Sequence, residues 1–265
     1  HVSKTYEECN YLQALEGGLD TAHSSYAHNN NMSATSDPRL MDKSPRLDVN
    51  PTDYGYNYVS TRQMGGGDTY VRLYHYVMPF QQMRGGIHQL NGKRKKFPVI
   101  DGHIWAPIDD VTTFVYNIMC APHPEDELTP EAVEKREVAA GRGAINNIPG
   151  TFRLKRNQSN DYLIDREMQK TQNYTGIAGV NTQDFALQEG MGPICDRSKE
   201  FLGTSDKAIV AMRRLLLDAI AQNEKGGTLR ALEPSTYKKV RAYDRVIPES
   251  DNWKEAMAKD LVAIW

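Results

Sequence analysis

The sequence predicts an α+β domain in which helices pack against an antiparallel sheet. Between residues 54 and 120 the sequence has β-rich runs separated by turns, and residues 69–78 alternate with a period of two, which is typical of a strand. Short turns such as Gly65–Asp68 connect these runs, and short turns join antiparallel neighbours. On both sides of this region the apolar residues recur at helical spacing instead. Strands and helices are therefore grouped along the chain and do not alternate, as they would in a βαβ fold.

Each element is predicted from its own local pattern. The expected helices cover residues 8–28, a stretch that begins at Thr129 and Pro130, residues 182–191, residues 205–223 with Ser205 as N-cap, and residues 253–265. The expected strands cover residues 54–59, 69–78, 99–107 and 111–119. The polar residues 29–53 are predicted to form a loop.

Composition excludes several classes of protein. The 265 residues, with 39% hydrophobic residues and a mean hydropathy of -0.63, suit a single globular domain over residues 1–265. With 32 Lys+Arg against 34 Asp+Glu, no nucleic-acid partner is expected. No apolar run reaches the length of about 18 residues that a membrane span needs, so no membrane partner is expected. Three cysteines are too few for a disulfide framework, which favours a cytoplasmic location.

The residues that indicate chemistry lie between Glu16 and His28. Asp20 and His23 are three residues apart and share one helical face, with Glu16 one turn earlier. His23 and His28 are five apart, so a regular helix would splay them, and both can reach one metal only if the helix ends or bulges between them. Two imidazoles and a carboxylate form the facial triad of non-haem Fe(II) oxygenases. The alternative is that these histidines only form hydrogen bonds at a helix end.

Two stretches together resemble a known family. Residues 16–28, EGGLDTAHSSYAH, and residues 183–197, QDFALQEGMGPICDR, are similar to the paired motifs of Rieske non-haem iron oxygenases of the phthalate-dioxygenase branch. The resemblance is to the catalytic domain of these ring-hydroxylating oxygenase α subunits and covers about residues 10–225. It implies a helix-grip (START/Bet v 1-like) fold, and it implies a terminal oxygenase component that acts in aromatic hydrocarbon catabolism.

The resemblance also implies a role for each matching residue. His23, His28 and Asp184 would be the ligands of a mononuclear Fe(II). Asp20 would be the catalytic acid that links this iron to a Rieske 2Fe-2S cluster in a neighbouring subunit. The expected assembly is a homo-oligomer, a trimer or two stacked trimers, with Asp20 close to a subunit boundary. A reductase or a ferredoxin would supply the electrons.

The Rieske cluster itself is not expected within this chain. It needs Cys-x-His and Cys-x-x-His, and no Cys-x-His occurs in the sequence. Cys120 and His123 have the second spacing, but Cys120 ends an apolar strand and is interpreted as a buried thiol. The chain also begins with His1 and not with Met. We therefore expect the cluster on an N-terminal Rieske domain that is absent from this chain. The alternative is that the electron comes from another chain.

The expected substrates are O2 and a small aromatic carboxylate. Arginine suits a carboxylate in an apolar pocket, and the candidate substrate contacts are Arg84, Arg46 and Thr21. Arg197 and Arg213 are expected to pair with acids such as Glu189 and Asp196. His75 and His103 are expected in the core or in a pocket wall. The basic run 93–96 is expected to be solvated, with docking of a reductase as the alternative.

Three functions stay open at this point. The first is cis-dihydroxylation of an aromatic ring, for example that of a phthalate-like acid. The second is a monooxygenase reaction that O-demethylates an aromatic methyl ether. The third belongs to another class: a non-catalytic helix-grip pocket that binds a small hydrophobic ligand. Metal analysis separates the enzymes from the binding protein, because only the enzymes need about one iron per chain.

Overall fold

The centre of the fold is an antiparallel sheet. The computed structural model describes residues 1–29, 37–86, 99–122 and 128–263. Its strands are β1 Val2–Glu7, β2 Arg46–Thr52, β3 Gly55–Gly65, β4 Asp68–Val77, β5 Gln81–Gly85, β6 Ile100–Pro107, β7 Thr113–Cys120 and β8 Tyr243–Pro248. The first seven are arranged in the order β1-β7-β6-β5-β4-β3-β2, and β8 pairs with β4 beside this path.

Strand β4 lies in the middle of this sheet and is long enough to have two partners along one edge. Its first half, from Asp68, pairs with β8, and its second half, from Tyr74, pairs with β5. Val71 and Leu73 pack with β8 residues such as Tyr243, while Tyr74 and Tyr76 belong to the larger core on the other face. The alternation predicted for 69–78 therefore separates two buried faces.

Helices lie on both faces of the sheet. They are α1 Tyr11–Leu19, α2 Pro38–Met41, α3 Pro130–Ala140, α4 Arg166–Thr171, α5 Val180–Glu189, α6 Lys207–Glu224 and α7 Trp253–Ala256. The larger helices α1, α5 and α6 pack on one face of the sheet, and the short C-terminal helix α7 packs on the other. Leu15 of α1, Phe185 of α5 and Met212 of α6 are buried in one core with Trp105 of β6. A Cβ atom on Gly18 would lie 2.2 Å from the Trp105 ring, so α1 can pack this closely only with glycine there. The predicted α+β helix-grip fold is confirmed.

Several element predictions were wrong in their extent. The helix predicted for 8–28 covers only Tyr11–Leu19, and the loop predicted for 29–53 contains α2 and strand β2. Strands β1, β5 and β8 were missed because they are short and rich in polar residues, and pairing with neighbours stabilises them more than their own sequence does.

The predicted helix ends agree with the structure in part. Thr129 caps α3 by accepting a hydrogen bond from the Ala132 backbone N at 3.2 Å, as expected. Ser205 does not cap α6, which begins at Lys207 without a side-chain cap. The C-terminal helix predicted for 253–265 is shorter than expected, Trp253–Ala256.

Two other predictions concern the surface. Cys120 is exposed at the end of β7 and is not the buried thiol that was expected, because the apolar run stops there. His123 and the basic run 93–96 lie outside the described residues. In the described part of the chain, no helix has both the length and the apolar character that crossing a bilayer requires.

Candidate metal centre

His23 and His28 come together because helix α1 ends before both of them. Helix α1 stops at Leu19, and Asp20 is extended, with ψ 116°. The Asp20 carboxylate then accepts hydrogen bonds from the backbone N of Ala22 at 2.7 Å and of His23 at 3.2 Å. A 3-10 turn over His23–Ser25 follows. The helix was expected to end or bulge between His23 and His28, but it ends earlier, at Leu19, so both histidines lie outside it.

Asp184 reaches the same point from α5. Its Oδ1 lies 3.2 Å from His28 Nε2 and 3.5 Å from His23 Nε2. One ligand atom from each of the three residues lies within 4.8 Å of the other two. Helix α5 is fixed against α1 by glutamine side chains: Gln13 donates to the Gln188 carbonyl at 2.9 Å, and Gln188 donates to the Ala14 carbonyl at 3.3 Å.

The hydrogen bonds of the two imidazoles show which nitrogen is left for a metal. His28 Nδ1 lies 2.7 Å from the Gln183 side-chain oxygen, and His23 Nδ1 lies 2.6 Å from the Asp20 backbone carbonyl. Since both partners are acceptors, each Nδ1 carries the proton and each Nε2 has a lone pair. Two nitrogen lone pairs and a carboxylate oxygen therefore face one another, and one cation between them can be coordinated by all three. The donor set and its supporting hydrogen bonds fit Fe(II).

The charges at the centre stabilise one another. Burial, the largest single effect, opposes protonation of His28, but the charge of Asp184 together with the hydrogen bonds from His28 to Asp184 and Gln183 outweighs it and raises the pKa of His28. Burial likewise favours the neutral form of Asp184, but the two histidines outweigh it and lower the pKa of that carboxyl group. Asp184 is therefore ionised at neutral pH, as a ligand carboxylate must be.

Asp20 differs in detail from what was expected. Its carboxylate was expected to accept a hydrogen bond from the His23 imidazole, but the backbone carbonyl of Asp20 has that role. The carboxylate Oδ2 is 4.0 Å from His23 Nδ1 and instead caps the 3-10 turn. Asp20 thus positions His23 twice, through its carbonyl group and through its side chain. That the three other residues bind iron, and that Asp20 relays electrons, stay predictions.

A cavity of about 330 Å³ opens beside the three residues. Two of the three candidate substrate residues, Arg84 and Thr21, line it, and Thr21 is buried with no hydrogen-bond partner for its hydroxyl among the described residues. Arg46 is exposed at the start of β2 and does not line the cavity. Apolar and aromatic walls come from Tyr74, Trp105, Val115 and Phe185.

The cavity contains charged residues that the sequence did not single out: Arg39, Arg72, Asp101 and Arg136. Arg39 pairs with Asp37 at 2.6 Å, and Arg136 pairs with Asp101. Arg72 and Arg84 form no ion pair with a described residue; Arg72 donates two hydrogen bonds to the Gly85 carbonyl. A sequence signal existed for Arg72, because it shares the period-two face of Tyr70, Tyr74 and Tyr76.

Other predicted side chains support the centre from a distance. Arg197 and Arg213 do not pair with Glu189 or Asp196. Both bind Glu16 of α1, at 2.7 Å, and both also contact Glu200. The reason is that α1 presents the buried Glu16 carboxylate to α6, whereas Glu189 accepts hydrogen bonds from the Tyr162 hydroxyl and the Glu8 backbone N. His103 lies in the cavity wall, and buried His75 accepts or donates a 2.6 Å hydrogen bond with Tyr54, as the core prediction implied.

Comparison with known proteins adds independent findings. Residues 1–263 match the protein family described as LigXa C-terminal domain like. The chain is 32% identical over 278 residues to the phthalate 4,5-dioxygenase oxygenase subunit of Pseudomonas putida, a match that covers 99% of this chain and 60% of that protein. It is 28% identical over 271 residues to the 3-chlorobenzoate-3,4-dioxygenase oxygenase subunit of Comamonas testosteroni, covering 93% of this chain and 59% of that protein. The chain thus spans about three-fifths of the length of these relatives.

Among solved structures, NdmB of Pseudomonas putida CBB5 superposes with a TM-score of 0.51. The match covers 84% of this chain and 52% of that one, at 15% sequence identity. A likeness at this level of identity shows a shared fold.

Proposed function

Because the chain belongs to the LigXa C-terminal-domain-like family and is related to the oxygenase subunits of Rieske non-haem iron oxygenases, we propose that it is their catalytic domain, with one Fe(II) that serves to hydroxylate an aromatic carboxylate. The observation that carries the proposal is the convergence of His23 Nε2, His28 Nε2 and Asp184 on one point, with both Nδ1 atoms already bonded to carbonyl oxygens. Fe(II) held there would bind and activate O2 and leave positions open for it.

The side chains of the cavity have the remaining tasks. Arg84 lies in the cavity with the triad and is free of ion pairs with described residues, so it can bind the carboxylate of the ring. The Thr21 hydroxyl, buried and without a described partner, can form a further hydrogen bond. Tyr74, Trp105 and Phe185 present flat apolar surfaces that hold the ring and keep water from it. Together, these cavity residues would hold the ring close to the metal.

The test is metal and product analysis. The chain loaded with Fe(II) under nitrogen should hold about one iron per chain, and peroxide should then convert an aromatic carboxylate to a cis-diol. A stable protein that holds no iron would instead support the non-catalytic binding pocket. With a methoxybenzoate as substrate, formation of the hydroxybenzoate and formaldehyde in place of a diol would favour the monooxygenase alternative. That alternative is supported by a relative named tert-butanol monooxygenase / tert-amyl alcohol desaturase oxygenase subunit, from Aquincola tertiaricarbonis, which is 26% identical over 241 residues.

We also propose an electron path that starts outside this chain. The expected donor is a Rieske 2Fe-2S cluster on a region outside this sequence, reduced by a reductase or ferredoxin in the cytoplasm, within a trimer or two stacked trimers. Asp20 supports this, because its carboxylate is part-exposed while its backbone holds His23.

The Asp20 relay can be tested by one substitution in the full oxygenase. Asp20→Asn should keep iron bound, since Asp20 is not a ligand in the proposed site. Turnover driven by the reductase should fall steeply, whereas turnover driven by peroxide should change little. Equal losses in both assays would show that Asp20 acts only by positioning His23.

A further inference from the structure

Three aspartates line the cavity, Asp20, Asp101 and Asp184, and Asp101 is the one that forms an ion pair with an arginine. Asp101, on β6, is buried and lies directly opposite Arg84 of β5 in the antiparallel register. Side chains of directly opposed residues project from the same face of a sheet, so Asp101 and Arg84 are neighbours. Arg136 of α3 also lines the cavity, and its guanidinium group donates a hydrogen bond to Asp101 Oδ2. Asp101 therefore lies between two guanidinium groups that belong to different elements.

The arginines in and around the cavity differ in their partners. Glu137 pairs with Arg142 at 2.7 Å, Asp37 pairs with Arg39, and Asp101 pairs with Arg136. Arg72 and Arg84 form no ion pair with a described residue. Burial lowers the pKa of Arg84, and the charge of Asp101 opposes this shift. Two guanidinium groups without a close carboxylate favour an anion beside them, and Asp101, directly opposite Arg84 in the sheet, weakens that attraction.

We propose that Asp101 sets the charge selectivity of the cavity. It keeps Arg136 occupied in an ion pair, and its own charge repels each carboxylate that a bound ring carries. The inference rests on the proposed function and adds to it a specificity-determining residue. Coulomb energy is proportional to charge at a given distance, and the two carboxylates of a 1,2-dicarboxylate are neighbours, so the effect of Asp101 on this ligand should approach twice that on a monocarboxylate in free energy. In affinity, the factor for the dicarboxylate should approach the square of the factor for the monocarboxylate.

The experiment measures binding and not turnover. The dissociation constants of benzamide, benzoate and benzene-1,2-dicarboxylate are determined by calorimetry for wild type and Asp101→Asn, each loaded with Fe(II) under nitrogen. Asp101→Asn should bind benzamide as before, benzoate roughly 5-fold more tightly and the dicarboxylate about 25-fold more tightly. Asp260→Asn is the matched control, because it breaks an Arg–Asp pair with Arg245 outside the cavity and should shift none of the three.

A second variant works in the opposite direction. Arg136→Gln leaves Asp101 without its partner, so it should weaken binding of both anions, again in proportion to their charge. The Arg136 side chain is 40% exposed, so this variant tests the inference even if Asp101→Asn does not fold. Shifts of equal size for all three rings would overturn the role of Asp101 alone. A wild-type protein that binds none of the rings would overturn the proposed function as well.

Discussion

At the scale of single residues, the site depends on which nitrogen of each imidazole already forms a hydrogen bond. Gln183 and the Asp20 carbonyl hold the two Nδ1 atoms, so only the Nε2 atoms can bind a metal. Neither partner could be chosen from the sequence, because a backbone carbonyl leaves no sequence signal and Gln183 is one glutamine among several. The positions of the ligand residues could be predicted, whereas the hydrogen bonds that orient them required the structure.

The first prediction concerns the three proposed ligands. His23→Ala, His28→Ala or Asp184→Asn should each reduce bound iron from about one per chain to a small fraction, because two ligands hold Fe(II) poorly. Iron content by plasma emission spectrometry and the far-UV circular dichroism spectrum are measured together. Asp20→Asn is the control and should retain iron. A ligand variant that keeps full iron content would remove that residue from the proposed site.

The second prediction concerns Arg84. Arg84→Gln removes the charge that faces the cavity, so KM for an aromatic carboxylate should rise by about 10- to 100-fold, the loss expected for one charged hydrogen bond. KM for the matching amide should change little. Arg46→Gln, on the exposed end of β2, is the comparison variant and should behave as wild type. Similar losses on both substrates would mean that Arg84 has a structural role.

At the scale of elements, the success of the sequence prediction depended on length and burial. Strand β4 has an uninterrupted period of two because its two faces have different neighbours, tyrosines in one core and aliphatic residues in the other, so its bounds were found almost to the residue. Strand β5 has five residues, and β8 pairs with a segment at least 170 residues away in sequence, so neither has a local pattern that specifies it. The false extension of α1 to residue 28 has another cause. Apolar spacing continues past Leu19, but Asp20 is extended and its carboxylate accepts the backbone N–H groups of Ala22 and His23, so these no longer continue the helical hydrogen bonds.

The third prediction concerns the contact between helices α3 and α5. The end of α3 at Gly141 meets the start of α5 at Gly179. A Cβ atom on Gly179 would lie 2.6 Å from the Cα atom of Gly141, and Gly179 has a φ of +90°. Gly179→Ala should therefore destabilise the fold by about 3 kcal/mol, from backbone strain and overpacking together. The shift of α5 should also weaken iron binding through Asp184. Denaturant unfolding and iron titration measure the two effects.

Gly192 offers a matched control for this test. It has the same φ of +90°, but no atom lies within 4 Å of the position a Cβ would take. Gly192→Ala should cost only the backbone strain, roughly 1–2 kcal/mol, and leave iron affinity unchanged. If both variants lose the same stability, the contact between α3 and α5 contributes nothing.

At the scale of the whole molecule, a fourth prediction links stability to pH. Burial and the charge of Glu189 raise the pKa of Glu7, whose Oε2 has no hydrogen-bond partner among described residues. Since the pKa is higher in the folded than in the unfolded chain, the folded state binds more protons between the two values. The free energy of unfolding should then fall as pH rises through that interval, by at most about 1.4 kcal/mol per pH unit.

Glu7→Gln should remove this dependence and stabilise the protein at neutral pH. Denaturant midpoints from pH 4 to pH 8 provide the measurement. Glu8→Gln serves as the control, because Glu8 is part-exposed and paired with Arg153. A wild-type midpoint that rises over this range, with no gain for Glu7→Gln, would contradict the prediction.

The double pairing of β4 has a consequence for synthesis of the chain. Residues 68–73 pair with β3 on one edge, and their other edge can pair only after residues 243–248 have been synthesised. All three proposed metal ligands, in contrast, precede residue 185. During translation, the ribosome therefore releases the complete metal-binding set well before the sheet can close. In that interval the unpaired edge of β4, rich in β-forming residues, is open to other chains. Slow translation of the last segment should lower the yield of native protein, and a molecular chaperone that shields β4 should restore it.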